Sequence, residues 1–138
     1  MRTLSTRSGC ILTLLLLLPL VGCDFKRITV RIDQFETREV QGLRFWRLDD
    51  ASGTWLPEGH VLFSDVKEED DVRWVNYTPV NLLGEAGHPL GAELLRDPEK
   101  PGTVVLDIFY EFAADGWFRV STFNANGESP LSEESILL

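Results

Sequence analysis

The stretch Val104-Val-Leu-Asp-Ile-Phe-Tyr-Glu-Phe112 carries an apolar side chain at every second position over nine residues. Every even-numbered residue in it is aliphatic or aromatic, whereas Asp107 and Glu111 lie at odd-numbered positions. A period of two residues is the pattern of a β-strand that buries one of its faces. The stretch therefore predicts a long strand at the centre of an all-β fold.

Further strands are predicted on both sides of this stretch. Residues 28–32 repeat the alternation, and Phe118 and Val120 share one face of a segment that begins at Trp117. The predicted strands are residues 28–33, 41–48, 60–66, 72–80, 103–112, 117–124 and 134–138. About seven short strands with turn-forming residues between them are typical of an antiparallel β-sandwich.

Two connections in this set are predicted from their local sequence. A three-residue loop, Ala114-Asp115-Gly116, predicts a tight hairpin in which Phe112 pairs with Phe118, because a glycine in that place accepts a left-handed backbone. Residues 81–102 hold seven glycines and prolines, which exclude a long strand and predict a long surface connection. Within that connection, residues 91–96 are expected to form a turn or two of helix.

Length and charge limit the classes of function. The chain has 138 residues, 43% of them hydrophobic, which suits one globular domain. It carries 13 Lys and Arg against 22 Asp and Glu, for a net charge of −9. Because nucleic-acid affinity depends on cations that neutralise phosphates, no nucleic-acid partner is expected.

The N-terminus has the organisation of an export signal. Arg2 and Arg7 precede a ten-residue apolar segment, residues 11–20, with no acid before it. A basic start followed by 7–15 apolar residues is typical of a secretory signal peptide. The segment is shorter than the roughly 20 residues that a transmembrane helix needs. We therefore expect an exported protein.

Leu20-Val-Gly-Cys23 resembles the lipobox of bacterial lipoproteins. The resemblance implies cleavage between Gly22 and Cys23, so that residues 1–22 are the signal peptide and residues 23–138 are the mature domain. It also implies that the Cys23 thiol carries a diacylglyceryl anchor, with fatty acids such as palmitate. An ordinary signal peptide with an incidental cysteine is the alternative.

The lipobox resemblance implies a place in the bacterial cell envelope, on the periplasmic face of a membrane. Asp24 resembles the signal that retains enterobacterial lipoproteins in the inner membrane. The outer membrane is the alternative, because other lineages sort lipoproteins by different rules.

Charge is unevenly distributed along the expected mature domain. Residues 23–48 hold six cations and four acids, whereas residues 49–138 hold five cations and 18 acids. Only Asp24 and Phe25 separate Cys23 from Lys26 and Arg27, so the domain should begin within roughly 10 Å of the membrane. We expect Lys26 and Arg27 to contact anionic headgroups, each gaining about 1 kcal/mol, with the acidic remainder pointing away from the membrane. The alternative is that the asymmetry serves only solubility.

Residues 118–135 resemble the last two strands of a fibronectin type III domain. Alternating apolar residues lead to Asn124, Gly127 follows, and a stretch rich in Ser, Pro and Glu enters the final strand. The resemblance implies an immunoglobulin-like, fibronectin type III-like sandwich.

The sequence carries no recognisable motif of catalysis or metal binding. His60 and His88 lack zinc-ligand spacing, and no nucleophile elbow or phosphate-binding glycine motif occurs. No catalytic residue, metal ligand or cofactor is predicted, and an uncharacterised hydrolase is the less favoured alternative. The acidic residues 49–50 and 68–71 suggest either a calcium site or solvated turns; solvated turns are favoured.

Trp117 is the candidate for contact with a ligand or partner. It should face away from Phe118 and Val120, and therefore outward. We expect a non-catalytic module that binds a protein partner in the envelope. The alternative, a carbohydrate-binding or surface-adhesion domain, requires several of the four tryptophans on one exposed surface. The C-terminal residues 135–138 are either an open edge strand or a buried one.

Overall fold

The computed structural model describes Arg2–Thr3 and residues 25–138. The predictions for Gly22, Cys23 and Asp24, and for the apolar part of the signal peptide, lie outside these residues. All regular secondary structure within them is β-strand. The strands are β1 (Arg2–Thr3), β2 (Phe25–Ile32), β3 (Gly42–Asp49), β4 (Thr54–Glu69), β5 (Val72–Asn81), β6 (Leu90–Glu93), β7 (Leu95–Arg96), β8 (Val104–Glu111), β9 (Trp117–Asn124), β10 (Gly127–Glu128) and β11 (Ile136–Leu137).

The strands form two antiparallel sheets that pack face to face. The smaller sheet has the order β1-β2-β8-β7, and the larger has the order β10-β9-β3-β4-β5-β6, with β11 also paired to β9. The two inner faces bury the apolar side chains against each other. The predicted all-β sandwich is confirmed.

The central stretch behaves as its alternation predicts. Its even-numbered residues, from Val104 to Phe112, are all buried. β8 pairs with β2 so that Ile108 lies opposite Ile28 and Leu106 lies opposite Val30. Because the buried side chains of both strands meet on one face, β2 and β8 form the inner wall of the smaller sheet.

An aromatic cluster joins the two sheets at the centre of the core. Phe45 of β3 lies 4.7 Å from Tyr110 and 5.1 Å from Phe112, measured between ring centroids. Phe118 of β9 completes the cluster, 4.6 Å from Phe112. The rings are tilted or edge-on to one another, which is the favourable geometry for aromatic pairs.

Two tyrosine hydroxyls bridge the sheets in opposite directions. The hydroxyl of Tyr77 on β5 accepts a hydrogen bond from the backbone N–H of Phe109, at 2.8 Å. The hydroxyl of Tyr110 on β8 donates to the carbonyl of Val80, at 2.7 Å. Burial raises the pKa of each tyrosine to about 12. Each bridge therefore links one sheet to the backbone of the other.

The predicted hairpin at residues 114–116 is wrong. β8 pairs with β2 and β9 pairs with β3, so the connection crosses from one sheet to the other. Phe112 and Phe118 meet across the core rather than along a strand pair. The alternation of apolar residues could not distinguish a hairpin within one sheet from a crossing between two sheets, because both direct the same side chains into one core.

The predicted helical turn at residues 91–96 is also wrong. Ala92 and Leu94 are buried while their neighbours are exposed, which is the period of a strand. β6 pairs with β5 in the larger sheet, and β7 pairs with β8 in the smaller. This part of the expected surface connection therefore crosses between the sheets and closes one side of the sandwich.

The tyrosine bridges give a prediction about alkaline pH. Tyr77 and Tyr110 are the two tyrosines of the chain, so absorbance of tyrosinate reports on them alone. Because both pKa values are raised above the unfolded value of about 10, the bridges should be intact below pH 10. Their contribution to stability should be lost as the pH rises towards 12. Tyrosinate absorbance should therefore increase together with the loss of strand circular dichroism. A tyrosine that ionises near pH 10 in the folded protein would contradict the burial of its hydroxyl.

Candidate functional site

Three of the four tryptophans lie near one another on the outer face of the larger sheet. Phe118 and Val120 point into the core, so Trp117 and Arg119 point outward from β9. The next strand places Trp46 beside Arg119, and β4 places Trp55 beside Leu48. We call this surface the tryptophan face; its residues are Trp46, Leu48, Trp55, Trp117 and Arg119.

Polar contacts hold the tryptophan face in place. The guanidinium of Arg119 lies over the ring of Trp55, with its Cζ 4.7 Å from the ring centroid. A cation over an indole ring is an attractive arrangement. Trp46 donates from its Nε1 to the hydroxyl of Ser121 at 2.9 Å, and Ser121 in turn donates to Glu128. Two of the three rings therefore have a fixed orientation before any partner binds.

Trp117 is the most exposed member of the tryptophan face. It is 44% exposed, whereas Trp46 and Trp55 are half-buried. The outward orientation predicted for Trp117 is confirmed. Its contact with a ligand or partner stays a prediction.

Trp74 lies apart from the tryptophan face. It belongs to β5, between Lys67 of β4 and Glu93 of β6. Twelve residues of β4 separate Lys67 from Trp55, which corresponds to roughly 35 Å. Trp74 is 43% exposed and therefore matches Trp117 in residue type and exposure without sharing its surroundings.

A basic and aromatic patch adjoins the tryptophan face along β3. Arg44 pairs with Glu128, at 3.2 Å from Nε to Oε2, and lies over the ring of Phe123. His60 packs edge-on against the same ring. Burial, and secondarily the charge of Arg44, lowers the pKa of His60 below its usual value of 6.5. This imidazole is therefore neutral at pH 7.

The two predicted membrane-contact cations occupy different environments. Lys26 is largely buried, and its Nζ lies 3.9 Å from a carboxylate oxygen of Asp115. Arg27 of β2 lies opposite Phe109 of β8 in the smaller sheet. Contact of Lys26 and Arg27 with headgroups stays a prediction.

The basic residues near the start of the domain form ion pairs with acidic residues from the rest of the chain. Four of the six cations in residues 23–48 form ion pairs with acids from residues 49–138. These pairs are Lys26–Asp115, Arg31–Asp97, Arg44–Glu128 and Arg47–Glu58. The basic N-terminal strands therefore neutralise part of the acidic remainder instead of forming a separate basic surface.

The acidic run lies at a strand turn. Glu68 and Glu69 end β4, and Asp70 and Asp71 form the turn into β5 with φ angles of 52° and 67°. All four residues are exposed. Among residues 25–138, no group of three or more His, Cys, Asp and Glu side chains is arranged to hold a metal ion.

A pocket lies at the end of the sandwich where β2 begins. It has a volume of about 610 Å³, and its lining includes Phe25, Tyr110, Leu90, Asn81 and residues 85–88. His88 therefore lines this pocket, which lies near the end of β5 that is opposite the acidic turn at residues 68–71. The pocket brings the start of the folded chain beside the loop that follows β5.

Comparisons with protein-family models, with curated proteins and with solved structures found no match to this chain. None of the described residues forms a helix that is long and apolar enough to cross a membrane.

The environment of His60 gives a second prediction. Its pKa, followed by NMR in the folded protein, should lie below 6.5, and Arg44→Gln should move it upward by removing a neighbouring cation. Arg96→Gln, a substitution in the smaller sheet, should leave it unchanged. Because a lowered histidine pKa means that the unfolded chain binds the proton first, His60 should favour folding above pH 6.5. This contribution should decrease as the pH falls. A His60 pKa at or above 6.5 would contradict the packing described.

Proposed function

We propose that this protein is a membrane-anchored bacterial lipoprotein whose sandwich binds a protein partner in the cell envelope through the tryptophan face. The observation that carries the proposal is the exposure of Trp117 beside Trp46, Trp55 and Arg119 on one sheet face. Tryptophan and arginine are enriched at the residues that contribute most binding energy in protein interfaces. Since Arg119 and Trp46 already have partners, little side-chain entropy is lost on binding.

The anchor follows from the lipobox resemblance. β2 begins at Phe25, two residues after Cys23, so a lipid on Cys23 leaves almost no linker between membrane and domain. The domain then lies against the periplasmic face of its membrane. Asp24 favours the inner membrane in this proposal.

The strand order supports an immunoglobulin-like classification of the sandwich. Immunoglobulin domains place strands A, B, E and D in one sheet and G, F, C and, in variable domains, C′ and C″ in the other. Without β1, which the proposed cleavage removes with the signal peptide, the orders β2-β8-β7 and β10-β9-β3-β4-β5 follow B-E-D and G-F-C-C′-C″. The resemblance of residues 118–135 to the last strands of a fibronectin type III domain points to the same class.

A carbohydrate-binding or surface-adhesion function is the second candidate. Three indole rings on one sheet face favour it, because flat aromatic rings stack on sugar rings. This candidate and the first use the same surface, so they differ in the chemistry of the ligand and not in its location.

The test is in-cell crosslinking followed by affinity isolation from solubilised envelope and mass spectrometry. The wild-type chain and Trp74→Ala should recover the same protein in similar amounts. Trp117→Ala should recover roughly 30-fold less, as expected for the loss of about 2 kcal/mol at a principal contact. Cys23→Ala should lack the lipid anchor and lose the partner.

Two outcomes would redirect the proposal. Equal recovery with Trp117→Ala and the wild type would exclude the tryptophan face as the binding surface. Recovery of no protein, together with binding to a glycan array that Trp117→Ala abolishes and Trp74→Ala preserves, would favour the carbohydrate-binding candidate. Unfolding curves of both variants should match the wild type, because both side chains are exposed.

A further inference from the structure

The turn after β5 exposes two adjacent leucines. Leu82 is 63% exposed and Leu83 is 83% exposed, which makes Leu83 the most exposed large apolar side chain of residues 25–138. A single exposed leucine is ordinary on a protein surface. Two adjacent ones at the tip of a turn form a small apolar projection.

Asn81 holds this turn in its conformation. Its Oδ1 accepts hydrogen bonds from the backbone N–H groups of Leu83, at 3.0 Å, and Glu85, at 2.9 Å. Its Nδ2 donates to the carboxylate of Glu85 at 2.8 Å, and its carbonyl accepts from the N–H of Gly84. The leucines are therefore held outward by a network of backbone and side-chain bonds. The nearest carboxylate, that of Glu85, is hydrogen-bonded back to the turn.

The turn lies at the end of the domain where the chain enters the fold. The pocket of about 610 Å³ has Phe25 on one side and Asn81, Glu85 and Gly87 on the other. Phe25 is itself exposed. Cys23 precedes Phe25 by two residues, or about 7 Å of extended chain. The leucines, Phe25 and the proposed lipid therefore lie at one end of the sandwich.

The opposite end of the same strand is acidic. β5 runs for ten residues from Val72 to Asn81, which spans roughly 30 Å. The exposed acids Glu68, Glu69, Asp70 and Asp71 lie at its start. β5 therefore has an apolar tip at one end and four exposed acids at the other.

We propose that Leu82 and Leu83 insert into the boundary between headgroups and acyl chains of the bilayer that carries the lipid on Cys23. The inference rests on the proposed lipid anchor. Two acyl chains already give stable attachment, so the leucines fix the tilt of the domain. In this orientation the acidic turn points away from the membrane. The tryptophan face lies at the same end of the sandwich as the leucines, because Trp55 lies beyond Gly59, the residue paired with Asn81, on the side of β4 away from the acidic turn.

The test uses the full-length protein purified with its own anchor and reconstituted into phosphatidylethanolamine–phosphatidylglycerol vesicles. Leu83→Cys carries an environment-sensitive fluorophore, and the matched control is Leu95→Cys, a leucine of β7 that is 51% exposed. The label at position 83 should shift its emission to the blue and be quenched by lipids with nitroxides near the headgroup. The label at position 95 should show the emission of an aqueous site.

Flotation of the unlabelled protein in a density gradient tests the lipid anchor separately from the insertion of the leucines. Protein that floats with the vesicles while the label at position 83 remains aqueous overturns the membrane insertion and leaves the anchor intact. Protein that does not float overturns both. Leu82→Ser/Leu83→Ser should still float, while the quenching of a label at Phe25→Cys should fall at least twofold because the tilt is no longer fixed.

Discussion

Tyr110 approaches Gly59 so closely that the backbone of β4 has to accommodate it. A Cβ at position 59 would lie 1.9 Å from the tyrosine hydroxyl, and Gly59 has a φ of 151°, a conformation that other residues rarely adopt. β4 shifts register at this point, where Phe45 pairs with Gly59 and Trp46 with Pro57. The extra residue, Glu58, is buried and accepts a hydrogen bond from Arg47 at 3.0 Å. This bulge is the constraint on which the outer surface depends.

The bulge determines which side of the sheet Trp55 occupies. Side chains alternate along a strand, and one extra residue reverses the faces of all that follow on the same side. With the bulge, Trp55 pairs with Leu48 and lies on the outer face beside Trp46. Without it, Trp55 would point towards the core and Leu56 outward. The packing of Tyr110 in the core thus assembles the tryptophan face on the surface.

The alternation of apolar residues was sufficient to predict the fold class and the inward faces of β2, β8 and β9. It did not predict which strands pair, because both sheets of a sandwich bury their apolar residues in one core. A crossing between sheets, such as residues 112–117, therefore has the same sequence pattern as a hairpin. The strands β6 and β7 were missed because their glycines and prolines suggested a loop, whereas Ala92 and Leu94 carry the buried positions.

The candidate surface was predictable only in part. The outward position of Trp117 follows from the alternation around Phe118 and Val120. Its neighbours depend on a strand pair between β3 and β9, which lie more than 70 residues apart, and on the bulge in β4. The sequence did indicate a hairpin here, because Trp46 and Trp55 flank the turn at residues 49–53. Their shared face required the register shift at Gly59.

The place where this surface is displayed depends on the anchor at Cys23. Intact mass spectrometry of the protein extracted from the membrane fraction tests this claim most directly. The account expects a chain that begins at Cys23 and carries the added mass of a diacylglyceryl group, with Cys23→Ala remaining as an uncleaved, unmodified precursor. A mature chain that begins at another residue, or that begins at an unmodified Cys23, would contradict it.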